Sequence, residues 1–409
     1  MPFNKLGIAV LVTILISLLP GCSDSKKEAA KPAAKPSVKI EAPLIIGVVG
    51  PETGEEARFG MSVVEGVLAA AKRFNSQGGI GGKEIQVLHF DDKSNTELAT
   101  KIVKDLISQK ATAILAAPTG SSTFAPVHLA NESKTLFISV GSRRHLKASG
   151  PFVFRTAVPD DLATEDLIKH AMADLKYSNF ALVTVSDSEF SLDLSSMFMK
   201  AADKHKGEII VRADVYDTLA GNHNMGAVIN ALKKSPKPLH AVIYTGGVND
   251  GIQLAQEMRK AGINLPIIGG EDLYSEEYLK GGDAVTDTLM YTTFSKDNPS
   301  QKTTEFMTDY GKSNPDRFAA LAYDTFMLVA DAIKEAGSAD TEKIREALIN
   351  RKDCEGVTGK TSFTADNMPV KHPIICKIRR SESGERGFVL KSDVAAASPP
   401  AAATAPAGK

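Results

Sequence analysis

The stretch Ala111–Pro126, ATAILAAPTGSSTFAP, decides the fold. Its apolar run, Ala113 to Ala117, has strand length and ends in Pro118, Thr119 and Gly120; the next residues, Ser121, Ser122 and Thr123, are types favoured where a helix begins. A strand, a tight turn and a helix N-terminus in that order predict a turn at the carboxyl edge of an open parallel sheet. Unpaired backbone N–H groups there favour a negatively charged group. The small side chains leave room for a ligand, although ordinary helix capping with nothing bound reads the same residues equally well.

On either side of this stretch, strand and helix patterns alternate. Leu44–Gly50 (LIIGVVG) reads as a buried strand, Phe59–Phe74 as a helix, Glu84–Phe90 as a strand and Leu98–Ile107 as a helix. A helix through Val127 and Leu129 and a strand Thr135–Val140 follow. The βαβα order predicts a parallel sheet with helices on both faces. The pattern then restarts, with helices at Leu162–Leu175, Leu192–His205, Met225–Leu232 and Gly251–Ala261. They alternate with strands at Phe180–Ser186, Glu208–Val215, His240–Thr245 and Leu265–Gly269. Two α/β halves in succession predict two lobes. Beyond Thr293 three helices (Gln301–Tyr310, Phe318–Ala336, Thr341–Asn350) precede short strands at Lys360–Phe363, Pro373–Ile378 and Phe388–Lys391. Such an ending can return to the first lobe and cross again to the second, which periodicity alone does not establish.

With 409 residues the chain is long enough for two domains. A formal net charge of −1 gives no electrostatic case for nucleic acid. At the N-terminus, Lys5 precedes an apolar run, Leu6–Leu19, too short to span a bilayer, and Leu19-Pro20-Gly21-Cys22 closes it. This ending resembles the lipobox of bacterial lipoproteins, which implies cleavage before Cys22 and lipidation of its thiol. Ser23–Pro43 is rich in Lys, Ala and Pro and reads as a flexible tether, and Ala395–Lys409, mostly Ala and Pro, as a disordered tail.

The motifs GPETGEEARFG (50–60), FNSQGGIGGKEIQVLHFDD (74–92), GSSTFAP (120–126), FISVGS (137–142) and SDSEFS (186–191) stand in a characteristic order. AYDTFMLVADAI (322–333) and GVTGKTSF (356–363) complete the set. Together they resemble the type I periplasmic solute-binding proteins, specifically the branched-chain amino-acid (leucine/isoleucine/valine) group serving ABC importers. The resemblance implies an α/β fold of two Rossmann-like lobes, with parallel sheets flanked by helices, joined by three hinge crossings. The expected organisation is a signal peptide (1–21), lipidated Cys22 with its tether (22–43), lobe 1 (44–160 and 294–372), lobe 2 (161–293 and 373–391) and a tail (392–409).

The same resemblance places ligand contacts. Phe59 stands where the family sets an aromatic against the ligand, or is simply the first core residue of its helix. Gly120, Ser121 and Ser122 occupy the turn that holds a ligand carboxylate. Gly141, Ser142 and Arg143 occupy a second anchoring turn; Arg143 departs from the family's usual Thr and either pairs with a carboxylate or points into solvent. Phe190 replaces a frequent Tyr and Ser191 a Gly, while Gly247 and Val248 fall where another aromatic can stand. Glu271 matches the acidic residue that meets a ligand ammonium, with Asp272 the neighbouring alternative. The departures at Phe190, Val248 and Arg143 predict that branched-chain residues are not the best ligands. The implied role is a monomeric, lipid-anchored protein on the periplasmic side of a bacterial envelope that hands its ligand to a membrane permease.

Other chemistries find less support. CEGVTGKT (354–361) nearly spells a phosphate-binding loop, but Cys354 stands where Gly is required and no helix pattern follows. The eight His residues show no metal-ligand spacing, so no metal site and no cofactor are expected. No G-x-S-x-G elbow occurs, which argues against an enzyme. An extracytoplasmic amidase or hydrolase, and a sensory module passing its ligand to a membrane receptor, are the alternative functions. Cys354 and Cys376 are either bridged in an oxidising compartment or two buried thiols.

Overall fold

A computed structural model describes Ile40 and residues 42–142, 149–312, 314–382 and 384–391. The expected signal peptide, Cys22, nearly all of the tether, Arg143 and the tail 392–409 lie outside the described residues. No helix among the described residues is long and apolar enough to cross a membrane.

Five aliphatic runs form the first sheet: β1 (Ile45–Gly50), β2 (Gln86–Asp91), β3 (Ala113–Ala116), β4 (Leu136–Ser139) and β5 (Val153–Arg155). All are parallel, in the order β2-β1-β3-β4-β5. The connecting helices are α1 (Ala57–Ser76), α2 (Thr96–Ser108), α3 (Ser121–Phe124) and α4 (Val127–Glu132). Strands β1, β3 and β4 are buried on both faces, as sheets covered by helices require. Edge strand β2 has only half-buried and exposed residues.

The second half contains α5 (Asp160–Ala173), β6 (Asn179–Thr184), α6 (Glu189–Lys204), β7 (Glu208–Asp214) and a hairpin of β8 (Tyr216–Asp217) and β9 (Asn222–His223). There follow α7 (Met225–Lys233), β10 (Ala241–Tyr244), α8 (Val248–Lys260), β11 (Ile267–Gly269), α9 (Glu276–Leu279) and β12 (Leu289–Thr292). The chain continues through α10 (Gln301–Tyr310), α11 (Arg317–Ala336) and α12 (Thr341–Asn350). It ends with β13 (Cys354–Gly356), β14 (Gly359–Phe363), β15 (Pro369–Val370), β16 (Ile374–Arg380) and β17 (Arg386–Leu390). The second sheet runs β17-β16-β12-β11-β10-β6-β7; β16 is antiparallel to both of its neighbours, and the pairs from β12 to β7 are all parallel.

The late helices belong to the first lobe. Helix α11 is buried along nearly its whole length, and Phe318, Phe326 and Ile333 join a core with Val63, Val67 and Phe74 of α1. The Asp316 carboxylate starts α11 by accepting the Phe318 and Ala319 N–H groups, and Gly337 in the left-handed conformation ends it. Ala157 packs in the first lobe's core and Val158 in the second's; Tyr291 packs in the second and Phe294 in the first; Phe363 packs in the first and Ile375 in the second. The chain therefore passes between the cores three times.

Several elements differ from the sequence reading. Strands β5 and β12 and the hairpin β8–β9 were not anticipated, being two to four residues long with little periodicity to read. The helix expected after Gly120 is two short pieces, because Pro126 cannot donate an N–H and restarts the chain as α4. Cys354 and Cys376 are both free thiols. Cys354 packs at the margin of the first lobe's core, and Cys376, on β16, is buried in the second's.

Candidate ligand-binding cleft

In an open parallel sheet the strand order reverses at one point, and connections leaving the two strands there diverge to opposite faces, opening a crevice. In the first sheet that point lies between β1 and β3, and in the second between β6 and β10. The segments that follow these strands face each other across a cavity of about 1140 Å³. Two pairs of structural features thus build one cleft.

The first lobe contributes Phe59 near the start of α1, Gly120 and Ser121 after β3, Phe124 of α3 and Gly141 and Ser142 after β4. Gly120 and Gly141 have φ of +69° and +89°. At Gly141 a Cβ would also lie 2.8 Å from Phe318 Cδ1, so glycine is what allows the turn to lie flat on that ring. Phe59 and Phe318 meet edge to face with centroids 5.1 Å apart. The Arg58 guanidinium lies 4.5 Å above the Phe59 ring and that of Arg317 4.8 Å above the Phe318 ring. The wall of this lobe is therefore a layer of two phenyl rings flanked by two fixed positive charges, an arrangement favoured by the ring quadrupoles.

The second lobe contributes Glu189, Phe190, Asp193 and Met197 of α6, Gly247 and Val248 at the start of α8, and Asp272, Tyr274 and Ser275 after β11. Glu189 and Asp193 are exposed at the mouth. Beneath this wall, the Ser191 hydroxyl accepts the Val185 N–H (2.9 Å) and bonds Thr245 Oγ1 (2.9 Å), which also bonds Ser195 Oγ (2.8 Å). This hydroxyl network ties α6 to β6 and β10, which fixes where Phe190 stands. Tyr274 donates to Ser295 Oγ (2.9 Å) and packs on Phe388, and burial pushes its hydroxyl up to about 12.

Of the expected contacts, Phe59, Gly120, Ser121, Gly141, Ser142, Phe190, Gly247 and Val248 line the cleft together. Phe59 is also packed against the first lobe's core. Ser122 does not line the cleft; it is buried, with its hydroxyl 2.9 Å from Thr119 Oγ1. Nor does Glu271, whose side chain is 2% exposed. Its carboxylate accepts the Thr293 N–H (2.5 Å) and stands 3.6 Å from Arg317 Nε. Asp272, the alternative, does reach the cleft, with Oδ1 3.5 Å from Arg317 Nη2. Arg317, Phe318, Arg58 and Tyr274 escaped the sequence reading. Arg317 and Phe318 come from a helix far along the chain from the first lobe's sheet, which ends at Arg155, so no local pattern marks them.

A profile described as the periplasmic binding protein family matches residues 43–379. A Leu/Ile/Val-binding protein homolog of Brucella melitensis is 24% identical over 331 residues, covering 79% of this chain and 88% of that protein. Among solved structures, the branched-chain amino acid transporter substrate-binding protein LivJ of Streptococcus pneumoniae, in complex with isoleucine, is 27% identical with a TM-score of 0.64, over 85% of this chain and all of that one. An ABC transporter substrate-binding protein from Sphaerobacter thermophilus is 18% identical with a TM-score of 0.72, over 85% of this chain and 97% of that one.

Proposed function

Since this chain belongs to the periplasmic binding protein family, we propose that it is the lipid-anchored, extracytoplasmic substrate-binding protein of an ABC importer. It would bind an amino acid or a related small polar ligand between its lobes and deliver it to a membrane permease. The observation that carries this reading is the facing of two sheet switch points across one cavity, with the chain crossing between the lobes three times. The isoleucine complex of the S. pneumoniae protein supports the ligand class.

The mechanism follows from the two-walled site. A ligand touching only one lobe binds open and closed forms alike and shifts nothing. One that bonds the Gly120–Ser121 and Gly141–Ser142 turns on one side and packs on Phe190 and Val248 on the other gains contacts only when the lobes meet. That differential affinity would close the protein, and the permease would distinguish closed from open. The residues proposed to carry binding are Phe59, Gly120, Ser121, Gly141, Ser142, Phe190, Gly247 and Val248; Ser122 and Glu271 would act from behind the wall, by shaping the turn and by holding Arg317. Cys22 is the proposed lipid attachment.

A thermal-shift screen of the fragment from Ser23 against free amino acids, amides and small carboxylates tests the proposal. A ligand at about a hundred times its dissociation constant adds roughly 2.7 kcal/mol to stability, a clear rise in melting temperature. Silence across all three classes contradicts the small-ligand reading.

A further inference from the structure

Carboxylates on the second lobe are the groups with which the cleft would meet a ligand's positive charge. Those at its mouth, Glu189, Asp193 and Glu277, are exposed, where water and salt screen them. Three carboxylates stand deeper: Asp160, which lines the cleft, accepts the Tyr291 hydroxyl (2.8 Å) and acts on the charge of the buried Arg155; Asp272, which also lines it; and Glu271 behind the wall, with a cation from the opposite lobe already set between the last two. Arg317, the first residue of α11, places Nε 3.6 Å from Glu271 and Nη2 3.5 Å from Asp272. Its guanidinium is supported by the Phe318 ring, 4.8 Å away, and its helix start is fixed by the Asp316 cap. The side chain is 26% exposed and lines the cleft, so it is held in place without being sealed off.

This reading rests on the proposed binding role of the same cleft and narrows its ligand. We propose that Arg317 fills the cation-accepting position of the cleft and thereby selects an organic anion with an apolar body and no α-ammonium group.

The physical case is one of charge and shape. An ammonium group brought to Glu271 and Asp272 would have to displace Arg317, leaving a guanidinium without partners, or sit beside it against like-charge repulsion. A guanidinium carries five N–H donors in a planar fork, and the two contacts to Glu271 and Asp272 leave donors that a carboxylate in the cleft can accept from, in a charge-assisted and directional bond. Arg58 stands as a second positive charge over the other ring. Between them, Phe59, Phe318 and, from across the cleft, Phe190 offer apolar surfaces that suit a flat or branched hydrocarbon body and give an ammonium nothing to bond.

Matched pairs test this directly: leucine against 4-methylpentanoate, and phenylalanine against 3-phenylpropanoate, titrated by calorimetry into the fragment from Ser23. The expected result is that the acid lacking nitrogen binds at least tenfold tighter than its amino acid in one pair or both. Arg317→Gln is expected to erase that preference, and Arg317→Lys, which keeps the charge without the fork, to weaken the acid severalfold while still folding. If in neither pair the acid binds tighter than its amino acid, the inference is overturned while the proposed function stands. If Arg317→Lys and wild type bind the acid alike, the inference is overturned as well. If no member of either pair binds but another amino acid does, the inference again fails alone; if no carboxylate or amino acid binds, both fail.

Discussion

At the scale of single residues, the most unusual group is Lys371, in the segment leading from β15 to β16. Its side chain is fully buried, donating to Thr358 Oγ1 and, at 3.0 Å, to Thr361 Oγ1. Burial pushes its ammonium down to about 8 from 10.5, opposed by the charge of Asp324, whose carboxylate accepts the Val357 and Thr358 N–H groups. Below about pH 8 both folded and unfolded chains hold this proton. Between about 8 and 10.5 the unfolded chain still holds it and the folded chain has released it, so stability rises with pH across that window. The full rise is about 3 kcal/mol. Tyrosines with raised values, among them Tyr278, work in the opposite direction at the alkaline end. The measurement is therefore the difference in urea stability between wild type and Lys371→Met from pH 7.5 to 10: the wild type gains relative to the variant, and parallel curves would disprove the account.

The same scale shows where sequence reasoning stops. Glu271 was legible as an acidic residue after a buried strand, but its burial and its pairing with Arg317 were not, because that partner is set by α11, which folds back from far along the chain. Sequence spacing locates residues along one element; it does not report which charge another element brings to meet them.

At the scale of elements, the turns after β3 and β4 hold the first lobe's side of the cleft. They were readable because glycine with φ above zero and small hydroxyl residues leave a local signature. The helix start at Ser121–Thr123 and the helix through Val127 and Leu129 are separate short helices, since the hydrogen-bond ladder does not continue through Pro126. A four-residue helix supplies little dipole, so an anion at this turn would depend on the N–H groups themselves. The turn after β4 depends on Gly141 lying against Phe318. Gly141→Ala meets both a positive φ and the Phe318 ring, and is expected to cost about 1–3 kcal/mol in stability. It should also weaken ligand binding, because the ring that shifts is part of the cleft wall. Chemical denaturation and calorimetry on the variant read both effects; an unchanged midpoint would show that the turn is not so constrained. Strand β12 was missed for a related reason: LMYT is short and buried on both faces, and one of its two neighbours, β16, comes from a distant part of the chain.

At the scale of the whole molecule, the repeated strand–helix alternation made the two lobes legible, while the three passages between their cores became visible only in the packing of residues such as Phe294 and Ile375. Those passages make closure the natural motion. Each lobe keeps its own core, the two large sheets share no strand among the described residues, and the facing walls are polar and aromatic. The central claim is that a ligand held by both walls draws the lobes together. Small-angle X-ray scattering of the fragment from Ser23, with and without the ligand found by the thermal screen, tests it most directly. The account predicts a smaller radius of gyration at saturating ligand, and no contraction in a Phe59→Ala variant at a concentration where its melting temperature is unmoved. A ligand that raises the melting temperature of the wild type while leaving its scattering curve unchanged would contradict closure as the mechanism.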